Sequence, residues 1–166
     1  MRFVTVIVTE QNEVRRRVDI MKEYKIVVDT REQKPLWKKD VVTKKLDVGD
    51  YSIEGEEQNI GIERKSLPDL YGTLGSGHKR FKKELERALK LKYFAIVVDG
   101  SYSACLNKEF DGAHHSRMKG FVVTSIAFTI HMKYKVPIFF THGRNESKRI
   151  IKELFNAYMK TKGELK

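Results

Sequence analysis

Residues 93–98 read Tyr-Phe-Ala-Ile-Val-Val, an unbroken apolar run with no alternation. A strand of this kind is buried on both faces, so it needs a covering layer on each side of its sheet. The rest of the chain offers strands and helices in turn. Residues 24–28 predict a first core strand ending at Asp29, and Pro35 and Trp37 mark a loop after it. A strand closes at Asp50, the polar segment 54–59 with its single glycine reads as a hairpin connection, and Ile60-Gly61-Ile62 begins the next strand. Ser66 followed by Asp69 opens a helix as a capping box, which Gly72, Gly75 and Gly77 break. A second helix is expected over residues 78–90, with Phe81, Leu85, Ala88 and Leu89 as its apolar stripe. Residues 100–116 form a polar connection, and the adjacent His114 and His115 lack partners at ligand spacing, so they read as surface residues. Residues 118–134 are apolar around most of a helix and are expected to be buried on more than one side. A last strand over 136–140 and an amphipathic helix over 145–159 follow.

The chemistry concentrates in Gly49-Asp50, Glu63-Arg64-Lys65 and Asp69. Asp50 and Glu63, on neighbouring strands, are two carboxylates suited to a hard divalent cation. Lys65 lies two residues past Glu63 and therefore on the same face of its strand. There it is placed to orient water and to balance charge that builds in a transition state. Asp69 has two readings, helix cap or secondary site residue, and the cap is preferred because the helix dipole favours an acid there.

Gly-Asp, a spacer, Glu-Arg-Lys and Asp after three more residues is the signature that this chain shares with the XPF-type structure-specific DNA endonucleases. The resemblance extends to Val27-Val28-Asp29-Thr30-Arg31-Glu32, to residues 62–70, to the Gly75-Ser76-Gly77-His78-Lys79-Arg80-Phe81 loop and to residues 94–100. It runs from about residue 24 to about residue 159. It implies a restriction-endonuclease-like, PD-(D/E)XK α/β fold with a central mixed sheet flanked by helices. It implies a Mg2+- or Mn2+-dependent endonuclease acting on branched or flap DNA, with Asp50, Glu63, Arg64 and Lys65 as the catalytic set. Asp50 and Glu63 would hold the principal ion. Asp29 and Glu32 match the family's Asp-x-x-Glu and would hold a second ion shared with Asp50. The other reading of that pair, a strand-end Asp and a solvent-facing Glu, stands beside it. Arg31 and Arg64 are candidates for pairing with phosphate or with the metal-bound carboxylates.

Charge agrees. The 166 residues carry 33 Lys and Arg against 22 Asp and Glu, a net charge of +11, and a chain this basic points to a polyanion. His78, Lys79 and Arg80 stand at a helix N-terminus beside the glycine-rich loop, where backbone N–H groups favour phosphate. They are the expected DNA-backbone contacts. The single Cys105 fits a reducing interior and no apolar run is long enough to span a membrane, so an intracellular protein is expected. The apolar surplus of the 118–134 helix predicts a homodimer or heterodimer through residues 118–159. Residues 1–22 form an N-terminal extension with a candidate extra strand over 3–8, and residues 23–166 form the nuclease domain. The chain is expected to lack the helix-hairpin-helix tandem that family members usually carry after that domain, which leaves the substrate open. A rival reading is a non-catalytic DNA-binding or dimerisation module of the same fold. Against it stand the intact Asp50 and Glu63-Arg64-Lys65. A repair or resolvase nuclease with other substrates is a third.

Overall fold

The computed structural model describes residues 24–163. The candidate strand over residues 3–8 and the rest of the N-terminal extension lie outside the described residues. In chain order come β1 (Ile26–Val28), β2 (Val41–Thr43), β3 (Tyr51–Ile53), β4 (Ile60–Ser66), α1 (Leu67–Leu74), α2 (His78–Ala88), β5 (Tyr93–Asp99), α3 (Tyr102–Asn107), a 3-10 turn (Ala113–His115), α4 (Gly120–Tyr134), β6 (Ile138–Phe140) and α5 (Arg144–Thr161). The strands make one sheet in the order β2-β1-β3-β4-β5-β6. β3 pairs antiparallel with both β1 and β4, whereas β1–β2, β4–β5 and β5–β6 are parallel. This is the expected central mixed sheet flanked by helices.

The apolar run of β5 does what its lack of alternation predicts. Phe94, Ile96 and Val98 pack on one face with Leu70 and Leu74 of α1, Phe81 and Leu85 of α2, and Val123 and Ile130 of α4. Ala95 and Val97 pack on the other with Ile26, Tyr51, Ile62 and, from α5, Ile151, Phe155 and Tyr158. The β3–β4 turn is clipped to the end of α5. Glu56 there accepts hydrogen bonds from Tyr158 Oη at 2.8 Å and Lys162 Nζ at 2.7 Å. The Lys162 bond, opposed by partial burial, holds the Glu56 carboxyl below its usual range.

Several expectations need correcting. The strand does not end at Asp50: β3 begins just after it, because Gly49 takes φ 82° and turns the chain. A Cβ on Gly49 would also sit 3.0 Å from the Ile62 carbonyl oxygen, so glycine is required for both conformation and space. Leu89 lies beyond α2 and is exposed, not part of the stripe. The 100–116 connection contains α3, whose first turn is capped by Ser101 Oγ accepting from Ala104 N–H at 3.0 Å. His114 and His115 are exposed, as expected. Among the described residues the 118–134 helix is buried on one side only: Val123, Ala127 and Ile130 turn inward, while Phe121, Phe128 and Met132 are 60%, 53% and 66% exposed. Its N-terminus packs hard on α3, where a Cβ on Gly120 would collide with the Leu106 carbonyl. Among the described residues no helix is long and apolar enough to cross a membrane.

Candidate metal centre and nucleic-acid cleft

β4 distributes its side chains by the period of two. Ile60 and Ile62 face α5, and Glu63 and Lys65 face α1 and α2. Lys65 Nζ donates to Glu63 Oε1 at 2.6 Å and lies 5.0 Å from the centroid of the Phe81 ring on α2. Asp50 is clamped to the same strand by two bonds. Its N–H donates to the Ile62 carbonyl at 2.8 Å, and its Oδ2 accepts from the Arg64 N–H at 2.8 Å. Asp50, Glu63 and Lys65 share a cleft of about 680 Å³ with Arg31, Glu32, Asp69, Ser76 and Arg80.

Asp50 and Glu63 share Lys65 as their near lysine, while Arg31, Lys34, Arg64 and Arg80 also line the cleft. Burial first, and the nearby Glu32 charge after it, push the Asp50 carboxyl up to about 6 against the pull of the Arg64 N–H. Burial first, then Asp50, push Glu63 well above its ordinary value despite Lys65. Burial works against the Lys65 cation, but the charge and hydrogen bond of Glu63 more than offset it, and the ammonium is retained. Oxygen donors with charge left over are the donor set a hard divalent cation takes. Among the described residues no three His, Cys, Asp or Glu side chains converge on one point. Two carboxylates still fit Mg2+ or Mn2+, since such ions keep several waters and use substrate phosphate for the rest.

The other expected residues divide. Asp29 is 2% exposed and does not line the cleft. Its oxygens accept from Leu46 N–H at 2.6 Å, Arg31 N–H at 2.8 Å and Arg31 Nε at 2.7 Å. Burial pushes this carboxyl up, but the Arg31 guanidinium and the two N–H groups outweigh it and hold it low. That is the strand-end reading of Asp29. Glu32 does reach the cleft, where it accepts from Lys34 N–H at 2.7 Å and pairs with Arg64 at 3.3 Å. Arg31 is spent on Asp29 and on the Leu46 carbonyl. The Arg64 guanidinium binds Asp99 Oδ2 at 2.5 and 2.9 Å, and Asp99 also accepts from Ser147 Oγ of α5. Ser66 caps α1: its Oγ accepts from Asp69 N–H at 3.3 Å and donates to Asp69 Oδ2 at 2.6 Å. Asp69 is thus both a cap partner and an exposed residue of the cleft wall. His78, Lys79 and Arg80 are exposed in the first turn of α2, which has no side-chain cap, and only Arg80 lines the cleft.

Two residues escaped the sequence. Asp99 is brought opposite Ser66 by the parallel β4–β5 register, which no local pattern announces. Glu84 of α2 is close enough for its charge to act on Asp50, Glu63 and Lys65. Its spacing from Arg80 and Phe81, four and three residues, was the available signal.

A family model, the ERCC4 domain, matches residues 23–154. No curated protein matches the chain. Among solved structures, XPF from Aeropyrum pernix superposes with a TM-score of 0.60 at 20% identity, over 80% of this chain and 60% of that one. A structure of XPF from Aeropyrum pernix in complex with DNA gives 0.60 at 19%, over 84% of this chain and 66% of that one. The chain thus spans less than two thirds of each. At these identities the likeness speaks for the fold, and the family model speaks for descent. Since that model takes in most of the residues and XPF shares the fold, the chain belongs to the ERCC4 domain family and has its restriction-endonuclease-like α/β nuclease fold.

Proposed function

We propose that this domain is a divalent-metal-dependent DNA endonuclease that hydrolyses phosphodiester bonds in branched or flap DNA, with residues 23–166 as the nuclease unit. The observation that carries the reading is the pair of half-buried Asp50 and buried Glu63, both driven toward protonation, set in an open cleft beside a retained lysine cation. Asp50 and Glu63 would hold Mg2+ or Mn2+. When bound, the ion lowers the pKa of a water and draws charge from a phosphoryl oxygen. The Arg64 backbone N–H fixes the Asp50 carboxylate, and the Arg64 side chain anchors β4 to Asp99. Lys65 keeps a proton at Nζ for orienting water and for stabilising charge on the reacting phosphate. Glu32, not Asp29, is the better placed residue for any second ion. Arg80, with His78 and Lys79 beside it, would receive the DNA backbone at the α2 N-terminus. The exposed apolar stripe on α4 would pair with a second copy or a related chain.

The test is a panel of flap, fork, four-way junction and single-stranded substrates with Mg2+, Mn2+, Ca2+ and EDTA. Mg2+ and Mn2+ should support cleavage, Ca2+ binding alone, and EDTA neither. Lys65→Ala should lower turnover by ~10²-fold or more while the ion still binds. Asp50→Asn should abolish both metal binding and cleavage, and Asp69→Asn should be milder than either. If Lys65→Ala cleaves like wild type, the reading falls. Binding without cleavage in any metal would leave a non-catalytic module of the same fold.

A further inference from the structure

Beside the catalytic cleft lies a second cavity of about 550 Å³ between α1 and residues 110–118. The two share Pro68, Gly72 and Ser76, which form the saddle between them. A Cβ on Gly72 would meet nothing within 4 Å, so the saddle is open. The two hollows differ in chemistry. Glu32, Asp50, Glu63 and Asp69 line the first, and no carboxylate lines the second. Its wall is Tyr71, half-buried Phe110 and Met118, with exposed His115 and Arg117 at the rim. The Phe110 ring stands 4.9 Å from that of Tyr71, and Tyr71 Oη is tied to the Cys105 carbonyl at 2.5 Å, so the aromatic wall is fixed. An apolar slot with a held ring, no acid and a cation at its mouth suits a flat aromatic group joined to an anion.

We propose that this cavity is a base-binding subsite. It takes an unstacked nucleobase from the DNA strand whose phosphate lies in the neighbouring cleft, with Arg117 on the adjoining phosphate. The proposal rests on the endonuclease reading for the strand's place in the cleft. It makes an unpaired nucleotide next to the scissile bond a recognition feature, because unpaired bases leave the stack at the least cost.

The test uses flap oligonucleotides carrying, at that nucleotide, a normal base, an abasic site or 2-aminopurine. Cleavage is followed in Mg2+ and 2-aminopurine fluorescence in Ca2+. Wild type should prefer the base over the abasic site by ~10-fold in kcat/KM, the size expected from one stacked base, and should quench 2-aminopurine on binding. Phe110→Leu removes the ring, and Gly72→Leu fills the saddle with a better helix former. Both should cut the preference to ~2-fold or less and lose the quench. Equal cleavage of base and abasic substrates by wild type, or a quench that survives in both variants, overturns the subsite and leaves the nuclease reading intact. Absence of cleavage on every substrate overturns the nuclease reading instead, and the fluorescence arm still decides the subsite.

Discussion

Asp50 has a consequence for stability that runs opposite to its proposed use. Its carboxyl goes from an ordinary 3.8 to about 6 in the fold. Between those values the folded state binds a proton that the unfolded chain has released. Stability therefore rises as pH falls from about 6 toward 3.8, and above about 6 that contribution is absent. At 1.36 kcal/mol per pKa unit, the ionised group costs the metal-free protein up to about 3 kcal/mol at neutral pH. Asp50→Asn keeps an acceptor for the Arg64 N–H and removes the charge. In EDTA at neutral pH it should melt at a higher temperature than wild type, by the equivalent of about 1–3 kcal/mol. The difference should shrink toward pH 5, and Mg2+ should raise wild type alone. Calorimetry at two pH values with and without Mg2+ checks this, and equal melting temperatures throughout would refute the assignment of strain to Asp50.

At the scale of the element, α2 concentrates the proposed DNA contacts in its first turn, where Gly77 leaves the backbone N–H groups uncapped by a side chain. Each neutralised phosphate adds about −0.9 to the slope of log K against log salt. Lys79→Ala combined with Arg80→Ala should flatten that slope by roughly 1–2, read from DNA-binding titrations in Ca2+ at several salt concentrations. An unchanged slope would put the DNA elsewhere. Local physics made much of this region legible. Period two placed Lys65 on Glu63, helix-start chemistry placed Ser66 on Asp69, and a lack of alternation placed β5 between two cores. What stayed hidden depends on which strands meet and how. Asp99 reaches Arg64 only because β5 runs parallel to β4 in one register, and nothing near residue 99 encodes that. Asp29 was ambiguous for a related reason: its partner Leu46 is seventeen residues away, across a loop.

For the molecule as a whole, the stripe of Phe121, Phe128 and Met132 is surface that no other described residue covers. Tyr102 extends it, its ring 5.9 Å from Phe128 and 5.8 Å from Phe140 at the β6 edge. Hydropathy counted this face as buried because a sequence pattern records apolar side chains and not what covers them. Sedimentation at micromolar concentration should show a dimer, and Phe121→Glu with Phe128→Glu should give a folded monomer. A wild-type monomer at that concentration would refute the pairing. The Glu56 clip carries a different implication. Tyr158 and Lys162, near the last described turn, hold the loop that joins the strand following Asp50 to the strand bearing Glu63 and Lys65. In mechanical terms α5 is a lever with the hairpin as its load. A pull applied at Lys162 would load the β3–β4 hairpin through Glu56, and through Tyr158 it would draw on the core that packs α5 against β3 and β4.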